Sequence, residues 1–186
     1  MTSLVLASLL CAFPPARRAT PPADQAPQQP LGDDEVRDRI DTFMRTIDTR
    51  ISPDQWRALG GRGAAILEAM AQDRTLLPTR RAKAVVGLAA IGSPTSSTVL
   101  LSLAQSSSEP LNVRLTAVLG APGVLPASEV AATLKPVLES ADDDQVRAAA
   151  AEVLSRHGGC SLVRAQARRE RDPLPMQRAV QSCDKK

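Results

Sequence analysis

Aromatic residues, histidine and clustered cysteine are all scarce in this chain: no Tyr, two Phe, one Trp, one His and three Cys among 186 residues, with no Cys-x-x-Cys pair. Each scarcity closes off a class of function. Reading of single-stranded nucleic acid leans on aromatic platforms beside basic residues. The basic end of this chain, residues 147–186, contains no aromatic side chain, so no nucleic-acid partner is expected. β-rich folds also usually draw on more aromatics. A zinc or redox centre needs Cys and His at short spacings, and any Ser-His-Asp or Cys-His mechanism would rest on His157 alone. His157 falls before Gly158 at a predicted helix end, where a cation-capable side chain suits the negative pole. No catalytic residue, cofactor or metal ligand is assigned, and the chain reads as a non-enzyme.

Two further stretches invite chemistry and have simpler readings. Gly60-Gly61-Arg62-Gly63 lacks the Lys-Ser/Thr of a phosphate loop and no strand precedes it, so it reads as a turn between helices. Asp142 to Asp144 lacks calcium-loop spacing and fits a helix start beside the positive dipole end.

What the chain has in abundance is Ala, Val and Leu, with apolar residues at 43%, which suits closely packed helices. It also has a repeat. Arg-x-x-Ala followed by Val or Ala begins at Arg81, Arg114 and Arg147, at equal intervals. A fixed period of about 33 residues marks a stacked-helix solenoid, whose units bury their apolar faces only against their neighbours. The Ala three places after each Arg would let a partner helix approach closely, while the Arg stem covers the junction.

Apolar spacing and punctuation predict helices near 79–91, 95–106, 110–120, 128–140, 143–157, 160–171 and 174–183. Before them, Val36, Ile40, Phe43, Ile47 and Ile51 form one stripe opened by acidic residues 33–35. Ser52-Pro53-Asp54 then caps a short helix carrying Trp56 and Leu59, which is expected to stop at Gly60-Gly61.

The stretch from Asp142 through Val146-Arg147-Ala148-Ala149-Ala150-Ala151-Glu152-Val153-Leu154 to Gly158-Gly159 closely resembles a HEAT repeat of the short, lyase-type class. Val113-Arg114-Leu115-Thr116-Ala117-Val118 is a second copy. Arg80-Arg81-Ala82-Lys83-Ala84-Val85 is a third, with Arg80 where Val is expected. The resemblance covers about residues 53–183 and implies an all-α, HEAT-like solenoid of antiparallel helix pairs, within a helical domain expected over 33–184. It further implies a surface that binds another protein, with no catalysis of its own. The alternative is a lyase-like accessory that presents a substrate to an enzyme.

The ends of the chain add a compartment. Leu4 to Phe13 is apolar except for Ser8, too short to span a bilayer but matching the core of an export signal. Residues 1–13 are therefore expected to direct export to the periplasm or cell envelope, and residues 14–32 form a Pro/Gln-rich linker that cannot pack. Cys11 follows an apolar run as in a lipidated leader, but Leu10 before it is not small, so lipid anchoring is not favoured. Cys160 and Cys183 fall at neighbouring ends of two predicted antiparallel helices, where a disulfide is natural, and such bonds persist in oxidising compartments. Residues 147–186 hold nine Lys/Arg against four Asp/Glu. Within them Arg164, Arg168 and Arg171 recur at i, i+4 and i+7, a stripe that either docks an acidic partner or is simply a solvated face. The protein is expected to be a monomer.

Overall fold

The computed structural model describes residues 32–46 and 49–185. The expected export signal, Cys11, residues 14–31 of the linker, and Ile47 lie outside the described residues. Within them the chain forms ten α-helices and no strand: α1 Asp33–Arg45, α2 Pro53–Arg57, α3 Gly60–Gln72, α4 Pro78–Ile91, α5 Ser96–Gln105, α6 Leu111–Gly120, α7 Val130–Ser140, α8 Asp144–Arg156, α9 Cys160–Ala167 and α10 Gln177–Asp184.

Short links fold consecutive helices into hairpins. α3 packs on α4, α5 on α6, α7 on α8 and α9 on α10. The second members also pack on one another, α4 on α6, α6 on α8 and α8 on α10, making a continuous inner layer. Their first residues, Pro78, Leu111, Asp144 and Gln177, keep the constant step of the repeat through all four. Ala84, Ala117 and Ala150 are fully buried in this layer, as close helix packing around a small side chain requires.

Local chemistry sets the boundaries. Pro78 occupies the first turn of α4, where its missing N–H costs nothing. Asp143 caps α8, its carboxylate accepting from the backbone N–H of Gln145 at 2.8 Å and of Val146 at 3.3 Å, which satisfies two donors that the first turn leaves open. Beyond α8, Gly158 takes φ +80°. The Gly159 N–H returns to the Leu154 carbonyl at 2.8 Å, closing the helix end through a left-handed residue. His157 is the C-cap residue of α8.

α1 and α2 close the N-terminal side of this body. Val36, Ile40, Phe43 and Met44 are buried, and Phe43 meets Trp56 edge-on with ring centroids 5.0 Å apart, a favoured aromatic geometry. Trp56 in turn lies over Gly87 of α4, where a Cβ would stand 2.8 Å from the indole ring.

Three boundaries differ from those the sequence suggests. The α1 stripe does not run on to Ile51, because Thr46 turns extended and its carbonyl accepts the Lys83 ammonium of α4. Gly60-Gly61 opens α3 instead of ending α2. Gly60 takes φ +60°, a conformation that favours glycine, and Gly63 passes so near Leu59 that a Cβ would lie 2.3 Å from it. The helix expected over 160–171 stops at Ala167. There the Gln166 carbonyl accepts from both Arg169 and Glu170, and the chain turns inward before a 3₁₀ turn at Leu174–Met176.

Candidate functional site

The three repeated arginines are the first constellation that the fold assembles. Arg81 is 2% exposed and Arg114 is 3% exposed, so each guanidinium needs partners. Arg81 Nε donates to the Ala71 carbonyl, ten residues back, at 2.9 Å, and Nη2 lies 2.5 Å from Glu109 Oε2. Neither atom of that last contact has an aligned hydrogen bond, so charge alone holds it. Arg74 reaches the other oxygen of Glu109 at 2.7 Å. Arg114 repeats the pattern one step on: Nε faces the Ala104 carbonyl at 3.5 Å, and Nη2 donates to Asp142 at 2.6 Å. Asp142 comes 28 residues after Arg114, and Glu109 follows Arg81 at the same separation. The arginine of one hairpin thus clamps the carbonyl end of its own outer helix and the loop leading into the next inner helix.

Arg147 keeps its place and changes partners. Its Nε and Nη2 both donate to the Glu170 carboxylate at 2.7 Å, while Nη1 donates to the Ala141 carbonyl at 2.7 Å. The carboxylate contact is bidentate, the stronger form of such a pair. The acid is now only 23 residues ahead, supplied by the inward turn after α9. These hydrogen bonds hold the Asp142 and Glu170 carboxyls below the ordinary carboxylate range, mainly through Arg114 and Arg147 respectively, and raise the Arg147 guanidinium in return.

One step further along, Val180 stands where the arginine would be and Cys183 where the repeated Ala would be. Cys183 is bonded to Cys160, with Cα atoms 5.5 Å apart, inside the ordinary range for a bridge. The last hairpin is therefore joined covalently at the position where the earlier inner helices carry Ala84, Ala117 and Ala150.

The anticipated arginine stripe is split. Arg164 donates to the Cys183 carbonyl at 2.9 Å and lies 3.1 Å from Asp184, latching α9 to α10. Arg168 is the C-cap residue of α9, and Arg171 lies beyond the helix, so the three do not share one helical face. Arg168 and Arg171 are exposed. The acidic run also divides its labour: Asp143 is a cap and Asp142 a clamp.

Grooves open on the surface at the C-terminal half. One, about 410 Å³, follows the inner layer over Leu115, Leu119, Ala148 and Ala149 to Leu174 and Pro175. Val86 and Leu119, one repeat step apart, are 48% and 49% exposed. Another, about 460 Å³, lies between α9 and α10, with Ala167, Pro173, Leu174 and Val180 in its lining and Arg168 beside them. Among the described residues no group of three His, Cys, Asp or Glu stands placed to hold a metal ion, and no helix is long and apolar enough to cross a membrane.

Hairpins stacked at a constant step, with an inner layer clamped by arginine, define an all-α helical solenoid. The family model for HEAT repeats matches residues 64–155, from α3 to the end of α8, and this repeat segment belongs to the HEAT-repeat family. Neither the curated proteins nor the solved structures gave a match. HEAT repeats typically serve as protein-interaction scaffolds and are generally non-catalytic.

Glu109, Asp142 and Glu170 are the residues that sequence reasoning missed as clamps. A signal was present for two of them, since Glu109 and Asp142 are themselves one repeat step apart. The helix expected near 174–183 is present, and adding one more step to Arg147 would have shown that it continues the repeat.

Proposed function

We propose that this chain is a non-catalytic, protein-binding scaffold exported to the periplasm or cell envelope. The observation that carries the binding role is the repeated exposure of Val86 and Leu119 at one position of successive inner helices, leading into the groove between Leu115 and Leu174. Apolar side chains left bare in register on a stack of this kind form a surface for a partner to cover. Export draws support from the apolar run at residues 4–13 and from the Cys160–Cys183 bond, which suits an oxidising compartment.

Chemical crosslinking in the intact native cell tests both parts, followed by fractionation and alkylation of free thiols before any reductant is added. The expected result is a discrete protein adduct in the envelope fraction, with Cys160 and Cys183 protected from the alkylating reagent. Ready alkylation of both cysteines in a cytosolic fraction would remove export, and the absence of any protein adduct would remove the scaffold role.

A further inference from the structure

We propose that the groove between α9 and α10 docks an acidic amphipathic helix from another protein, a reading that rests on the scaffold role above and assigns a partner chemistry to a groove that shares Leu174 with the first. Val85, Val118 and Ala151 occupy equivalent positions and are all fully buried. The next equivalent is Asp184, which is exposed and held by Arg164. The end of α10 thus carries a polar cap at the place where its predecessors are covered.

That cap is incomplete. Val180 stands in the arginine position, and it lines the open groove together with Ala167, Pro173 and the 68%-exposed Leu174. At about 460 Å³ the groove falls within the range of pockets that accept apolar groups. In each of the earlier hairpins an arginine receives a carboxylate delivered from further along the chain. Here α10 brings Val180 to the groove between Gln177 and Asp184, α9 ends there at Arg168, and Arg169 and Arg171 are exposed alongside. Of the acids nearby, Glu170 is paired with Arg147 and Asp184, which lines the groove, with Arg164, while the exposed Asp172 accepts from the Leu174 N–H at 3.0 Å. The complementary occupant is a helix that lays apolar residues at i, i+3 and i+4 over Leu174 and Val180 and turns Asp or Glu toward Arg168.

The test is a displayed library of random peptides long enough for several helical turns, sorted on the disulfide-bonded full chain and re-measured on Leu174→Asp and Arg168→Glu. Both positions are exposed, and unchanged thermal melts show that each variant is folded. The expected peptides carry Asp/Glu on one face and Leu, Ile or Met on the other, lose affinity about tenfold or more on each variant, and weaken as salt is raised. Neutral or basic winners overturn the proposal. Winners that bind both variants unchanged also overturn it while leaving the scaffold role intact, because binding then occurs elsewhere on the stack; no winners at all would count against both. Flotation with phosphatidylglycerol vesicles that is lost in the same two variants, without peptide binding, would make the end a lipid surface and refute the claim. Concentration-dependent self-association abolished by Leu174→Asp would refute it in favour of a second copy.

Discussion

At the α4/α6 and α6/α8 junctions an arginine in the first turn of the inner helix reaches back ten residues to a carbonyl and forward to an acid in the next interhelical loop. At the C-terminal hairpin the same register holds a valine, and the neighbouring small-residue position carries the half-cystine bonded to Cys160. The backbone step is constant, while the last hairpin adds a covalent bond to its Arg164–Asp184 ion pair. Arg81 and Arg114 are buried where a later loop supplies the counter-charge, whereas α10 carries Val180 in that register. Between the two extremes stands Arg147, which keeps the ion pair but takes its acid from the turn after α9.

The largest loss of stability is expected from Arg81→Ala. It leaves the Glu109 side chain, only 5% exposed, with Arg74 as its remaining cation among the described residues. Breaking a buried pair of this sort costs about 4 kcal/mol. Urea unfolding followed by far-ultraviolet circular dichroism reads the cost. A shift no larger than that of Arg114→Ala, whose partner Asp142 has a side chain 59% exposed, would mean that burial does not rank the junctions. The covalent fastening comes next. Cys183→Ala, paired with Cys160→Ser, restores the residue that the other inner helices use and removes a bridge across a sequence separation of 23. In the chain-entropy model the loss is about 3 kcal/mol. Dithiothreitol should lower the melting temperature of the parent protein and leave that of the double variant unchanged. A smaller effect is expected at Gly123, beside the α4 end, where a Cβ would fall 2.2 Å from the Ala89 carbonyl oxygen. Overpacking a backbone in this way costs about 2 kcal/mol, so Gly123→Ala should lower the urea midpoint without altering its response to reductant.

The sequence discloses the stack better than it discloses the fastenings. Arg81, Arg114 and Arg147 announce the period because one residue type recurs at one spacing. The acids that answer them are harder to see: Glu109 and Asp142 differ in type, and Asp142 sits in an acidic run that has an adequate explanation as a helix start. Glu170 breaks the spacing altogether, since the turn after α9 delivers its carboxylate early. The last inner helix is expected near 174–183, but its place in the repeat is hidden for a related reason, because Val180 and Cys183 replace both residues of the recurring pattern. Gly60-Gly61 misleads in the other direction: glycine often ends a helix, but here its positive φ begins one, and only the approach of Leu59 to Gly63 shows why. Arg164, Arg168 and Arg171 make one stripe only if a helix persists to Arg171, and α9 ends at Ala167.

Acid separates the ion-paired fastenings from the covalent one by the gentlest means. The folded Glu170 carboxyl lies below its ordinary value, chiefly because Arg147 donates to it. A carboxylate depressed in the folded state contributes stability that is present above its unfolded pKa and is lost as pH falls through its folded one. The unfolded value for Glu is about 4.3, so melting temperatures measured from mildly acidic pH downward should begin to fall near there and continue to fall below it. Asp142 is lowered in the same direction through Arg114 and adds to the same limb. Glu170→Gln keeps a hydrogen-bond acceptor for Arg147 and removes the titration. It should start less stable at mildly acidic pH and lose less on further acidification, so that the two curves converge, whereas Cys160→Ser/Cys183→Ala should run parallel to the parent throughout. Parallel curves for Glu170→Gln would show that the Arg147 clamp contributes nothing through its charge.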